Sequence, residues 1–152
     1  MSENVYLDHN ATTTIRPNVI EAIKEALIRG GNSSSIHSYG RAAHQIIEKA
    51  RQSVSNLVGG DPDQVYFTSG GTEANNLALR GAGRENIFAT AVEHISVLSG
   101  ADNVKEISTD NNGVVDIDCV EKLLKNCPDG ALISIMLANN ETGVIQPVAK
   151  VA

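Results

Sequence analysis

The chain is 152 residues long, 41% apolar with only 3% aromatic residues and no tryptophan, and its formal net charge is −6. An acidic balance without a basic run excludes the usual nucleic-acid and anionic-membrane surfaces, and no apolar stretch reaches the roughly 18 residues that a helical membrane span requires. The opening MSENVYLDHN lacks the basic head and apolar core of a secretory leader, and Cys119 and Cys127 make neither a disulfide framework nor a metal spacing, so a cytoplasmic, metal-free chain with one aliphatic core is expected.

Residues 1–15 read as an extended polar arm in which Asp8, His9 and Asn10 precede three threonines. Pro17 suits the first position of a helix whose apolar face carries Val19, Ile20, Ile23 and Leu27, and Gly30-Gly31 stops it. Asn32 to Ser38 is a serine-rich loop. A longer helix follows from about Tyr39 to Val58, with Ala43, Ile46, Ile47, Ala50, Val54 and Leu57 in one stripe and Gly59-Gly60 at its end. Asp61-Pro62-Asp63 is a turn.

The stretch VYFTSGGTEANNLAL, from Val65 to Leu79, predicts a strand over Val65, Tyr66, Phe67 and Thr68, then a turn at Ser69, Gly70 and Gly71, then a helix from about Thr72. Strand, glycine turn and helix start make a phosphate cradle: glycines allow close backbone approach, and the first N–H groups and dipole of the helix favour an anion. The same residues also read as a tight turn before a helix capped by Ser69 or Thr72, with Glu73 favourable in the first turn. The local pattern leaves both readings open.

Gly81 and Gly83 end that helix, and Asn86 to Ala91 predicts a strand with Glu93-His94 where it runs out. Val104 to Ser108 is a further short strand, Asp110 to Gly113 a turn, and Ile117 to about Asn126 a helix with Asp116 as N-cap. The continuous apolar run Ala131 to Leu137 predicts a strand covered on both faces, which would deliver Asn139-Asn140-Glu141 at its C-terminal end, where open α/β sheets bind ligands. Taken alone, Asn139 to Gly143 is also an ordinary asparagine-rich turn. Pro147 opens a last helical turn, and the chain is expected to be truncated there. Strands alternating with helices predict an α/β fold with a mainly parallel sheet flanked by helices.

Five motifs stand in order: YLDHNATT at Tyr6 to Thr13, NSSSIHSYGR at Asn32 to Arg41, SGGTEANN from Ser69, VEHISVL at Val92 to Leu98, and LANNETGVIQP at Leu137 to Pro147. Together they resemble the cysteine desulfurases, pyridoxal-phosphate enzymes of the class V aminotransferase group, and they span nearly the whole chain. The resemblance implies the N-terminal half of the large domain of a fold-type-I transferase, with 1–15 as an N-terminal arm and 16–152 as a partial cofactor-binding domain. It implies pyridoxal 5′-phosphate as cofactor. Gly71 and Thr72 match the family's phosphate contacts, His94 the histidine that lies against the pyridine ring and is placed to move protons, and Asn140 the residue that hydrogen-bonds the phenolic oxygen.

Asn32, His37 and Arg41 fall in a segment that resembles the family's loop near the active site and the subunit contact, although Ser33 stands where a proline is commoner. The implied activity takes sulfur from L-cysteine, leaving alanine and a protein persulfide, and passes it to an iron–sulfur scaffold or a tRNA-thiolation protein; the implied assembly is a homodimer. Three expected parts have no counterpart in these residues: the cofactor-anchoring lysine of a Ser-His-Lys sequence, the aspartate on the pyridine nitrogen, and the acceptor cysteine. Cys119 and Cys127 fall in and at the end of a predicted helix and read as packing residues. The 152 residues by themselves are therefore expected to be inactive. A selenocysteine lyase or other class V enzyme, and a non-catalytic protein that binds only the cofactor or a partner, are the rival readings.

Overall fold

Pro17 starts the first helix, α1 (Pro17–Arg29), in the computed structural model, which describes residues 5–152. Two units make up the chain, Met1–Phe67 and Thr68–Ala152. In the first, α1 ends at Gly30, whose φ of 57° a side chain would resist. Its apolar face lies open: Val19, Ile20, Ile23 and Leu27 are all exposed, and no residue of the helix is buried. Helix α2 (Ser38–Val58) begins at His37, whose Nδ1 accepts the Gly40 N–H at 3.3 Å, and ends at Gly59 in the left-handed conformation. Ala43 and Ser55 are its buried side chains.

The strand predicted over Val65 to Thr68 does not form. Val65 is extended, but the segment has no ladder partner among the described residues, and Tyr66 and Phe67 are exposed. What holds it is a side chain: the Arg51 guanidinium donates to the Val65 carbonyl and lies 5.2 Å from the centre of the Phe67 ring. Extended residues become a strand only when a neighbour takes up their hydrogen bonds, and a local sequence does not carry that information.

In the second unit α3 (Gly71–Gly81) leads to β1 (Ile87–Thr90), and a one-turn helix α4 (Ile95–Leu98) precedes β2 (Val104–Ile107). Helix α5 (Ile117–Lys125), strand β3 (Leu132–Ser134) and a last turn α6 (Val148–Val151) follow. Asp116 caps α5 as predicted, accepting the Cys119 N–H at 3.1 Å. The three strands form a parallel sheet in the order β2-β1-β3, with Ile87 opposite both Val104 and Leu132.

The alternation of β1 divides the core. Ile87 and Ala89 face Leu79 of α3 and Val97 of α4, while Phe88 faces the other way onto Ile107, Val115, Val120 and Cys127. Cys119 packs against this second cluster, so both cysteines are packing residues. Strand β1, the central one, is fully buried; β3 is only half-buried and shorter than its apolar run, because only Leu132, Ile133 and Ser134 find partners on β1. The expectation of a strand over the whole of Ala131 to Leu137, covered on both faces, is corrected to that extent: Leu137 is exposed. The α/β class and the parallel, helix-flanked sheet are as expected.

Candidate functional site

Parallel strands send their C-terminal ends, and the loops that follow, to one edge of the sheet. Here that edge carries His94 in the loop after β1 and Asn140 in the loop after β3, which are neighbouring strands. A direct bond closes it: Asn139, 8% exposed, donates its amide to the Val92 carbonyl at 2.8 Å. The Asn139 side-chain oxygen in turn accepts the N–H groups of Glu141 and Thr142 at 2.9 and 2.8 Å and the Thr142 hydroxyl at 3.1 Å. Asn140 itself is exposed on the loop so formed. Sequence reasoning gave weight to Asn140 and passed over its neighbour; the structure shows that Asn139 shapes the loop.

His94 caps α4. Its Nδ1 accepts the Ser96 N–H at 3.1 Å and lies 2.7 Å from the Ser96 hydroxyl, which the Asn75 amide reaches from α3 at 2.8 Å. The ring is exposed while Ser96 is buried, so one side of the imidazole is held and the other is available. Asn75 lies within the SGGTEANN motif one turn after Gly71, and its bond ties the start of α3 to the loop that carries His94.

The start of α3 has the form of an anion cradle. Gly70 is extended at φ 168°, and a Cβ on Gly70 or Gly71 would meet nothing within 4 Å, so the approach to the first turn is open. Thr72 is exposed at that turn. The carboxylate of Glu73 accepts from the Ser69 hydroxyl at 2.6 Å and the Ser69 N–H at 2.7 Å, and those two bonds lower its pKa. Glu73 thus belongs to the turn and places a negative charge beside it, opposing an anion there. Open backbone, helix N–H groups and a hydroxyl still fit a phosphate, and the alternative of a helix capped by Ser69 or Thr72 is not what forms: Gly70 is the N-cap and no side chain caps it.

In the sequence Glu93 stands out only as His94's neighbour. It is 9% exposed, burial raises its pKa, and hydrogen bonds from the Met136 backbone, the His94 backbone and the Ser134 side chain offset this in part. Its Oε1, like Thr90 Oγ1, is buried without a partner. Thr90 ends β1 and Glu93 lies in the turn that follows it. No signal short of the folded sheet would have found them.

In the first unit, Asn32 forms a local turn with Ser34, His37 caps α2, and Arg41 donates to the Ile36 carbonyl. A concave patch there is lined by Ser33, Ser34, Ser35, Ile36, Arg41 and His44. A hollow of about 460 Å³ in the second unit, by Leu79, Arg80 and Asn103, includes Ile87, the first residue of β1, and so lies at the opposite edge from His94. Among the described residues no cluster could hold a metal ion, and no helix is long and apolar enough to cross a membrane.

Comparison with known proteins agrees with this geometry. The chain is 39% identical over 166 aligned residues to the cysteine desulfurase IscS of Dictyoglomus turgidum, covering 100% of this chain and 42% of that protein. It is 38% identical to an IscS-like cysteine desulfurase of Mycobacterium tuberculosis, with 97% and 42% covered. The crystal structure of a NifS-like protein from Rickettsia africae superposes with a TM-score of 0.86 at 40% identity, covering 97% of this chain and 43% of that one. The chain therefore spans less than half the length of these relatives. The Aminotransferase class-V family profile matches residues 5–152, and with the ordered motifs and the parallel sheet in place, the chain belongs to that family.

Proposed function

We propose that these residues are the N-terminal part of the cofactor-binding domain of a pyridoxal-phosphate cysteine desulfurase. The carrying observation is that His94 and Asn140 follow neighbouring parallel strands to one sheet edge, with the open start of α3 tied to the same edge through Asn75 and Ser96. Gly71 and Thr72 would hold the cofactor phosphate, Asn140 would donate to the phenolic oxygen, and His94 would lie against the ring. When bound, pyridoxal phosphate supplies the electron sink that lets a carbon–sulfur bond of the substrate be broken. The chain's own contribution is to bind, orient and hold one face of the site.

In this reading the substrate is L-cysteine, the products are alanine and a persulfide passed to an iron–sulfur scaffold or tRNA-thiolation protein, and the assembly is a cytoplasmic homodimer with Asn32, His37 and Arg41 near the subunit contact. Support comes from the named relatives. The test is an absorbance titration with pyridoxal phosphate on the full protein that carries this sequence, followed by sulfide release from L-cysteine with L-selenocysteine as competitor. A cofactor band that weakens in Thr72→Ala and Asn140→Ala, with turnover of cysteine, is the expected result. Preference for selenocysteine would move the assignment to a lyase, and absence of any cofactor band would overturn it.

A further inference from the structure

Helix α3 reaches His94 through two side chains. The amide nitrogen of Asn75 lies 2.8 Å from Ser96 Oγ, that oxygen lies 2.7 Å from His94 Nδ1, and the Ser96 backbone N–H meets the same ring nitrogen at 3.1 Å. A backbone N–H can only donate. Nδ1 must therefore present a lone pair, and in the neutral ring the proton sits on Nε2. With one lone pair of Ser96 Oγ occupied by the Asn75 amide, the hydroxyl proton is free to turn toward Nδ1 as well. Ser96 is 7% exposed, so bulk water does not compete for these bonds.

We propose that Asn75 and Ser96 are positioning residues that lock His94 in its neutral Nε2–H tautomer, so that His94 meets its ligand through Nε2 as a hydrogen-bond donor. This rests on the reading of His94 as a ligand-contacting residue. The group His94 takes is then an acceptor, such as a carboxylate or another anionic heteroatom.

The experiment reads the tautomer directly, without cofactor. The full chain is labelled with ¹⁵N-histidine, and two-bond ¹H–¹⁵N correlations are recorded for the wild type, Ser96→Ala, Asn75→Ala and Ser96→Thr, with His94→Gln used only to assign the signal. The expected result is a wild-type His94 protonated at Nε2, a ratio of Nε2–H to Nδ1–H that falls about fivefold in the two alanine variants, and recovery in Ser96→Thr. Asn75→Asp, which keeps the shape but removes the donor, reads the same ratio if Asn75→Ala does not fold. A wild-type His94 protonated at Nδ1, or an unchanged ratio in variants whose amide spectra remain folded, overturns the proposal. The pyridoxal-phosphate titration is read separately, so loss of the cofactor assignment and loss of the tautomer lock give different results.

Discussion

Asn139 and Val92 are joined across the C-terminal edge of the sheet by a 2.8 Å hydrogen bond, so the loop after β3 is fastened to the turn after β1. Asn139 is buried, and its side-chain oxygen accepts three further bonds within its own loop. Asn139→Ala would leave the Val92 carbonyl and two loop N–H groups without a partner, and a loss of about 2–4 kcal/mol is expected in urea unfolding. Asn140→Ala, at an exposed position, should change stability by less than about 1 kcal/mol while weakening pyridoxal-phosphate binding by about tenfold. Equal destabilisation by the two would contradict this division of labour.

Glu93 governs a pH dependence. Burial raises its folded pKa above the ordinary 4.5, so the folded state binds the proton more tightly than the unfolded chain does. Its contribution to stability is therefore full below about 4.5 and is lost as the pH rises through the raised folded value. Glu93→Gln should abolish that slope and leave the variant relatively more stable than the wild type at neutral pH. Unfolding midpoints measured across the acid range check it; a wild type whose stability rises through that window relative to the Gln variant would refute the assignment.

Gly40 sits where α2 passes close to the preceding loop. A Cβ there would lie 2.1 Å from the Ser35 carbonyl oxygen and 2.6 Å from the Ser35 Cβ, a clash with atoms that no rotamer change relieves. Gly40→Ala should destabilise the first unit by about 2–4 kcal/mol, despite the better helix propensity of alanine. At Gly70, where an added Cβ meets open space, the same substitution should leave stability within about 1 kcal/mol. Thermal melts of the two variants separate close contact from helix propensity.

The 152 residues by themselves should not turn over cysteine. None of the lysines stands in a Ser-His-Lys sequence, and the contacts offered by α3, His94 and Asn140 are non-covalent. Incubation with pyridoxal phosphate, borohydride reduction and peptide mass analysis should show scattered, low-level lysine labelling and no sulfide. One stoichiometrically modified lysine together with sulfide release would sink the claim.

The helices were legible because their information is local. Pro17, Gly59 and Asp116 announce starts and stops, and each lies where it was expected; the stripe of α2 marks a helix but not a buried face, since of its residues Ala43 is buried while Ile47, Val54 and Leu57 are exposed. The extended segment at Val65 and the true length of β3 were not legible, because pairing depends on a neighbour distant in sequence. The site divides in the same way. The glycine turn and His94 could be singled out by motif, whereas Asn139 and Glu93 matter through Val92, Ser134 and Met136, which no spacing rule connects to them.

The pairing order of the sheet also sets an expected order of assembly. Ile87 meets both Val104 and Leu132, and Leu132 lies much further along the chain. Closing the longer loop adds roughly 1 kcal/mol of chain entropy over the shorter one, so the β1–β2 pair should assemble first and β3 dock afterwards. Because Asn139 can reach Val92 only after β3 is seated, the edge bearing His94 and Asn140 is completed late and reopens early. Amide hydrogen exchange should accordingly be faster at Leu132 and Asn139 than at Phe88 or Ala89, which leaves the edge bearing His94 and Asn140 adjustable on a framework already set.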